Sequence, residues 1–491
     1  MNMIDMITCV VAFDRVTEPG KILGMFGDSG VVKKIIAVGE TELFGEEFNA
    51  IHRISGNLGS AKTLLELSGM IDTPFTLFCT KGLHFDLGQN ALHRMIQVAR
   101  SSEAGMVYSD YWEQKEGISK AHPVIEFQEG SLRDDFDFGS LTLFRSDALI
   151  SASESLELQF EFAGLYGLRL KISQNYRIVH IPEYLYTEFE VDSRKSGEKI
   201  FDYVDPRNRL KQIEMEKACT AHLKAVGAWL PPEFREITFT DQIFETEASV
   251  IIPVRNRVKT IGDAIRSVLR QKVDFKFNLI IADNYSTDGT TELITTFADT
   301  DDRIIHIHPQ RRDLGIGGCW NEAINHAACG KFAIQLDSDD LYINDTVISQ
   351  IVASFYEQRC AMVVGSYQMV NFKLEEIPPG IIDHKEWTPG NGRNNAMRIN
   401  GLGAPRAFYT PVLREIQVPN VSYGEDYALG LAISRNYQIG RIYNPLYLCR
   451  RWEENSDSSL DIERMNSYNF YKDKLRTLEL WARQFMNGAG H

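Results

Sequence analysis

Cysteine is scarce in this chain: seven in 491 residues, an odd number, widely scattered and without a CxxC pair. That pattern argues against a disulfide framework and a structural zinc site, and it predicts reduced thiols in a cytoplasmic protein. Long apolar runs are missing too, so no bilayer-spanning segment is expected; peripheral association with a membrane stays open. The opening MNMIDMITCVVAF lacks a basic n-region and runs straight into a strand-like stretch, which argues against a signal peptide. Positive charge is in deficit: 52 Lys and Arg against 67 Asp and Glu leave a formal net charge of −15. A polyanion such as nucleic acid is therefore disfavoured as a partner. What remains, 44% hydrophobic and 24% charged residues, is an ordinary globular composition. The length predicts about two to four domains.

Short apolar strands alternate with amphipathic helical stretches, the signature of an α/β sheet. In the second half, strands are expected at 249–254, 277–283, 303–308 and 331–337, with helices near 259–271, 289–298 and 317–328. The same order occurs earlier. TCVVAFDR (8–15) lies over SVIIPVRNR, KKIIAVG (33–39) over FNLIIADN, and GMVYSDY (105–111) over AMVVGSY (361–367). TPFTLFCTKGL (73–83) lies over GKFAIQLDSDDL when Leu83 is set on Leu341, and LKISQNYRIVHI (170–181) matches LAISRNYQIGRI (431–442) without a gap. Five matches in one order predict two copies of a single α/β domain, at 1–205 and 247–455. A helical linker is expected at 206–246, with Leu210, Ile213, Leu223, Val226 and Leu230 on one face and Pro231–Pro232 as its stop. The tail, 456–491, carries Tyr468, Tyr471, Leu475, Leu478, Ala482 and Phe485 at helical spacing and is read as an amphipathic helix packing on its own domain. Homo-oligomer contacts stay open.

The second copy concentrates acidic residues where strands end. Asp283 closes one strand, Asp337, Asp339 and Asp340 close another, and Glu425–Asp426 lie in a SYGEDY turn before a helix. Ligands of open α/β sheets bind at the carboxyl ends of strands, and converging carboxylates repel one another unless a cation or polar ligand intervenes. A hard divalent ion held by oxygens and completed by phosphate suits that arrangement. A single Asp after a strand would more simply be a turn or helix cap. His306 and His308 alternate on one strand face; with no third partner evident in the sequence, a packing or surface role is favoured over metal ligation. The Gly-, Pro- and Asn-rich stretch 379–403, with His384 and Trp387, reads as a mobile loop over the acceptor side or as plain disorder.

In their order, these motifs resemble the family-2 glycosyltransferases of the GT-A fold. SVIIPVRNR with the helix ending SVLRQ is similar to that family's opening strand and helix, ADNYSTDGT to its nucleotide-base turn, DLGIGGCWNEAI with FAIQLDSDD to its diphosphate-side helix and DxD segment, and YGEDYALGLAI to its catalytic acidic pair. The resemblance covers residues 247–455 strongly and the first copy as a degraded echo. It implies tandem GT-A-like, Rossmann-like domains and inverting, metal-dependent transfer from a nucleotide-diphospho-sugar to an acceptor hydroxyl, with a UDP-sugar as default donor. The acceptor would be a glycan, a lipid-linked sugar or a peptide, in glycan or polysaccharide synthesis. On this resemblance Asp283 recognises the base in a pocket lined by Pro253, Val254 and Arg255. Asp337, Ser338 and Asp339 form the DxD segment, and Asp337, Asp339 and Asp340 hold Mn²⁺ or Mg²⁺. Asp426 is the general base, Glu425 positions the acceptor, and Arg450 or Arg451 contacts phosphate. Two departures stand out. Trp320 precedes Asn321 where the family often has Arg, and Trp452 replaces a His in YLCRRWEENSDSS (447–459).

In the first copy the superposition sets Cys79–Thr80–Lys81 at the DxD, Val38 at Asp283 and Gly164–Leu165 at Glu425–Asp426. A lysine at a cation site repels the cation. The first copy is therefore expected to keep its fold without donor chemistry, serving acceptor binding, oligomer contacts or stability. A sugar nucleotidyltransferase and a non-catalytic sugar-binding protein remain as alternatives. The former usually carries a Gly-rich basic phosphate loop, and PVRNRVKTIG is poor in glycine.

Overall fold

The computed structural model describes residues 6–13, 19–27, 29–40, 51–81, 84–189, 205–239, 243–452 and 460–488. Gly82, Leu83, residues 190–204 at the end of the first copy and all of 453–459 in the YLCRRWEENSDSS motif lie outside the described residues. Strands of the first half are β1 (Ile7–Ala12), β2 (Val32–Gly39), β3 (His52–Ser55), β4 (Phe75–Cys79), β5 (Phe85–Leu87), β6 (Met106–Lys115), β7 (Ile118–His122), β8 (Leu141–Arg145) and β9 (Ile178–Phe189). Those of the second are β10 (Ala248–Val254), β11 (Phe277–Asp283), β12 (Ile304–Ile307), β13 (Phe332–Gln335), β14 (Leu341–Tyr342), β15 (Met362–Asn371), β16 (Glu376–Ile382), β17 (Arg406–Tyr409) and β18 (Ile439–Arg451).

Each half forms one nine-stranded sheet, and the two orders correspond strand for strand. The first runs β3-β2-β1-β4-β8-β6-β9-β5 with β7 on β6; the second runs β12-β11-β10-β13-β17-β15-β18-β14 with β16 on β15. Strands β3-β2-β1-β4 and β12-β11-β10-β13 are mutually parallel, whereas β8 and β17 run antiparallel to both neighbours. Among the parallel strands β1, β4, β11 and β13 are almost wholly buried, which is why they read as unbroken apolar runs rather than alternating ones. The fold is α/β in tandem, with the two halves built on one strand topology.

Pairing register refines the internal match by one residue. Phe144 and Phe408 sit opposite Met106 and Met362, and on their other side opposite Thr76 and Ala333. Thr76 therefore corresponds to Ala333, and Asp337 and Asp339 correspond to Thr80 and Gly82, not to Cys79 and Lys81. Carried across Thr8–Lys34 and Ser249–Asn278, the same register sets Gly39, not Val38, at the place of Asp283. Superposing Leu83 on Leu341 accounts for the slip at the DxD segment, while KKIIAVG set on FNLIIADN from its first residue already brings Gly39, not Val38, onto Asp283. The loss of carboxylates in the first half stands either way.

Helices occupy the linker and the tail, and Leu223 and Leu230 are buried, but three expectations about the connecting segments need correction. The linker helix spans Arg209–Ala225 and buries Gln212, Met215, Cys219, His222 and Leu223, whereas Leu210 is 70% exposed. It ends at Gly227 in the left-handed region (φ +75°), before Pro231–Pro232. The C-terminal helix, Ile462–Met486, buries Lys472, Asp473, Arg476, Thr477, Glu479, Leu480 and Arg483, while Leu478 and Phe485 face outward. Its inner face is ionic because both halves of the molecule press on it and supply partners for every charge. Stretch 379–403 is no mobile lid either. His384 and Trp387 are buried, Arg398 pairs with Asp134 of the first half at 2.7 Å, and Asn394 exchanges hydrogen bonds with the Leu230 backbone. Among the described residues no helix is long and apolar enough to cross a membrane.

Candidate functional site

Parallel pairing of β11, β10 and β13 brings their carboxyl ends to one edge, so Asp283, the Pro253–Arg255 turn and the Asp337–Asp340 loop share that edge. The turn after β10 is fixed by backbone: Asn284 N–H donates to the Val254 carbonyl at 2.8 Å, and Asn256 takes a positive φ of 54°. Val254 is buried, Pro253 half-buried and Arg255 exposed.

Asp283 is only 2% exposed. Burial alone would raise its pKa, but His306, the Ser286 N–H (3.2 Å) and Thr291 Oγ1 (2.5 Å) outweigh it and hold the carboxylate well below its usual range. His306 Nε2 stands 3.5 Å from Asp283 Oδ2, and His308 packs against His306 at a tilt of 47° with ring centroids 4.1 Å apart. Ligand atoms of Asp283, His306 and His308 all lie within 4.8 Å of one another, a set able to hold a cation. The third partner that the two histidines lacked in sequence is thus Asp283, supplied by the neighbouring strand.

In the loop after β13, Gln335 Nε2 donates to Asp337 Oδ1 (2.9 Å), and the Asp337 N–H donates to Tyr447 Oη (3.0 Å). Asp340 accepts the Arg450 N–H at 2.8 Å, and Trp452 Nε1 donates to Asp339 Oδ2 at 3.3 Å. Burial, joined by repulsion from Asp339, raises the pKa of both Asp337 and Asp340, although Arg406 offsets part of this at Asp337. A hard cation among these oxygens would relieve that repulsion, but among the described residues the group of three whose ligand atoms converge within 4.8 Å is Asp283, His306 and His308, not Asp337, Asp339 and Asp340. Ser338 is buried between them. Arg450 is placed differently from a phosphate contact. It is 2% exposed, donates to the Asp339 carbonyl and reaches Asp263 Oδ2 at 3.1 Å, so it braces the loop from behind. Arg451 is half-buried at the end of β18.

The acidic turn is set by Gly424, whose φ of +79° makes the left-handed bend that starts the helix Glu425–Asn436. Here the sequence reading missed a residue. Arg406, on β17 beside β13, pairs with Asp426 Oδ2 at 2.8 Å, while its backbone N–H donates to Gln335 Oε1 at 3.2 Å. Gln335 in turn holds Asp337, so one arginine ties the acidic pair to the DxD loop. A lone arginine in RAFY carries no motif; its place beside the β13 strand was the available signal. Burial raises the pKa of Asp426, but Arg406 first and Lys472 second outweigh it, leaving the carboxylate below its usual range. Glu425 goes the other way: burial, then the Asp426 charge, push it up to about 8, and its Oε2 has no hydrogen bond partner among the described residues. A carboxyl raised on folding contributes most stability below the unfolded value near pH 4.5 and loses it as pH climbs towards 8. Glu425→Gln is therefore expected to melt higher than the parent at pH 9 and like it at pH 4, as read by calorimetry.

Trp320, which stands where the family often has Arg, packs edge-on to Phe408, while Asn321 trades two hydrogen bonds with Val418 and so fixes the approach to the acidic turn. In the first half the equivalent edge is filled by its own ion pairs. Lys81 binds Glu188 at 2.5 Å, and His122 binds Asp137 at 3.1 Å. At Gly164 a Cβ would stand 2.5 Å from the Gly59 carbonyl, so no acidic side chain fits at the counterpart of Glu425.

Residues 249–414 match the sequence profile of Glycosyl transferase family 2. An uncharacterized glycosyltransferase of Rickettsia felis is 33% identical over 203 residues, covering 41% of this chain and 32% of that protein. The putative teichuronic acid biosynthesis glycosyltransferase TuaG of Bacillus subtilis is 32% identical, covering 25% of this chain and 47% of its own length. A GalNAc(5)-diNAcBac-PP-undecaprenol beta-1,3-glucosyltransferase of Campylobacter jejuni is 36% identical over 93 residues, 19% of this chain and 29% of that one. Alignment thus reaches about a third of the length of the first of these relatives. Among solved structures, S. aureus TarS 1–349 in complex with UDP-GlcNAc aligns at a TM-score of 0.38 and 22% identity, over 49% of this chain and 73% of that one.

Proposed function

We propose that this protein, whose residues 249–414 match Glycosyl transferase family 2, transfers a sugar from a nucleotide-diphospho-sugar, by default a UDP-sugar, to an acceptor hydroxyl with inversion. The observation that carries this reading is the Arg406 bridge, which holds Asp426 ionised beside the loop expected to carry the donor diphosphate. Asp426 accepts the acceptor proton as its oxygen attacks the anomeric carbon from the face opposite the leaving diphosphate. One base and no covalent intermediate make this a single displacement. Asp283 accepts from the nucleobase, with Pro253, Val254 and Arg255 lining that pocket. Asp337 and Asp339 would hold Mn²⁺ or Mg²⁺, whose charge would neutralise the diphosphate. Asp340, already engaged by the Arg450 N–H, supports that loop from the second half's interior. Arg450 holds the loop's shape, which leaves Arg451 as the candidate for phosphate.

The first half, with Gly39, Thr80 and Gly164 at the acidic positions, binds no nucleotide sugar in this reading. Glu425, raised to about 8, supports a second assignment in which it, and not Asp426, exchanges the proton; Glu425→Gln and Asp426→Asn compared at saturating acceptor separate the two.

Donor screening by thermal shift tests the whole reading, since a ligand at 100 times its Kd adds about 2.7 kcal/mol of stability. A nucleoside-diphosphate sugar with Mn²⁺ is expected to raise the melting temperature, and chelator to abolish both the shift and transfer. Asp339→Asn should retain the fold and lose most of the metal-dependent shift. If histidines 306 and 308 with Asp283 hold the working ion instead, Asp339→Asn will keep its Mn²⁺ response and His306→Ala will lose it.

A further inference from the structure

The C-terminal helix is wedged between the two halves, and its buried face is made of charges. On the side of the first half, Ser131 Oγ donates to Asp473 Oδ2 at 2.9 Å, Arg133 Nε approaches Asp473 Oδ1 at 3.5 Å, and the Gly130 N–H donates to Thr477 Oγ1 at 3.0 Å. The fit at Gly130 leaves no room: a Cβ there would come 2.2 Å from the Thr477 nitrogen and 2.4 Å from the Asp473 carbonyl. On the side of the second half, Arg476 pairs with Asp473 at 2.8 Å and donates to Tyr427 Oη at 2.8 Å, one residue past Asp426. Lys472 Nζ donates to the Asn400 carbonyl (2.7 Å) and to Tyr423 Oη (3.3 Å) and lies over the Tyr423 ring at 4.4 Å. Tyr468 stacks on Tyr423 with centroids 3.9 Å apart, and a Cβ at Gly424 would touch Tyr471 and Lys472. The acidic turn therefore rests on this helix from Tyr423 to Tyr427.

We infer that the first half acts on the acidic turn of the second through the C-terminal helix: the 128–133 segment locks the helix, and the helix presents Lys472 as a positioning residue for Asp426. This rests on the reading of Asp426 as the base. Burial, helped by Arg476, lowers Lys472 to about 8, and the Asp426 charge is the first of those that oppose this loss and favour the ammonium. Arg406 pairs with the Asp426 carboxylate directly at 2.8 Å, whereas Lys472 holds the turn through the Asn400 carbonyl and Tyr423 and adds its positive charge from farther away. A half without donor chemistry is then retained because it completes the support of the other half's acidic pair.

The test uses the full chain with Gly130→Ala, Ser131→Ala and Lys472→Met. Hydrogen exchange over 421–430 is expected to rise at least fivefold in Gly130→Ala and Lys472→Met, while β10 and β11 stay protected. Kinetics should show kcat reduced about tenfold with the donor KM unchanged. In Lys472→Met the acid limb of kcat should move to higher pH, because Asp426 loses one of the two positive charges that hold it ionised. Should Gly130→Ala fail to fold, Ser131→Ala removes one clamp bond with little volume change and should raise exchange in the same segment. Unchanged exchange over 421–430 when the clamp is loosened overturns the coupling, and an unmoved acid limb in Lys472→Met overturns the role of Lys472. If the parent transfers no sugar, the proposed reaction fails and Lys472 loses its role with it, while exchange still decides the coupling.

Discussion

Asp426→Asn is expected to bind donor and metal like the parent and to turn over roughly 10² to 10⁴ times more slowly, the usual worth of a general base. The argument begins with charge. An ionised carboxylate is what a proton acceptor needs, and Arg406 and Lys472 keep Asp426 ionised although it is largely covered. Its weak affinity for protons is no obstacle, because the acceptor hydroxyl becomes acidic only as attack proceeds. The competing view makes Asp426 a helix-start residue whose loss costs about 1 kcal/mol and spares the chemistry. Melting temperature and single-turnover rate on the same preparation decide between them. A folded variant with near-parental turnover removes Asp426 from the mechanism.

The strands of the second half were legible because each is a short apolar run ended by a turn, and observed bounds such as Ala248–Val254 and Phe277–Asp283 fall within a residue of the reading. The repeat was legible for the same reason, since buried parallel strands tolerate little besides Val, Ile, Leu and Phe. The C-terminal helix was legible as a helix, but its buried face was not. Periodicity assumes that the buried face is the apolar one, whereas here Lys472, Asp473, Arg476, Glu479 and Arg483 go inward against partners far away in the chain. Stretch 379–403 failed similarly, because its composition is that of a loop while its asparagines and arginines satisfy carbonyls of the linker and of the helix Glu425–Asn436. At the candidate site the acidic residues announced themselves by position after strands. Arg406 did not, because its meaning lies in which strands neighbour β17, and pairing across a sheet leaves no mark in a single sequence.

That residue carries the second large prediction. Arg406→Met keeps most of the side-chain volume and removes the charge that Asp426, Asp337 and Glu425 share. Breaking a buried pair by deleting one partner costs 3–5 kcal/mol, and this half-buried pair should cost about 2–3 kcal/mol. The loss depends on pH in a definite sense. Asp426 is held below its unfolded value, so its stabilisation is present above that value and disappears as pH falls through the folded one. The gap in melting temperature between parent and variant should therefore be full at pH 7 and close as the solution is taken to acid. Activity should fall further than stability explains, by about 10² or more, because Asp426 would take up a proton more readily and the link through Gln335 to Asp337 would slacken. Arg406→Lys is the control: a point charge restores part of the pairing and should recover turnover only partly, since it cannot both reach Asp426 and donate to the Gly403 carbonyl in the fixed geometry of a guanidinium. A pH-independent stability gap, or full activity in Arg406→Met, would show that the bridge between the acidic turn and the DxD loop is structural ornament and that Asp426 is held by Lys472 alone.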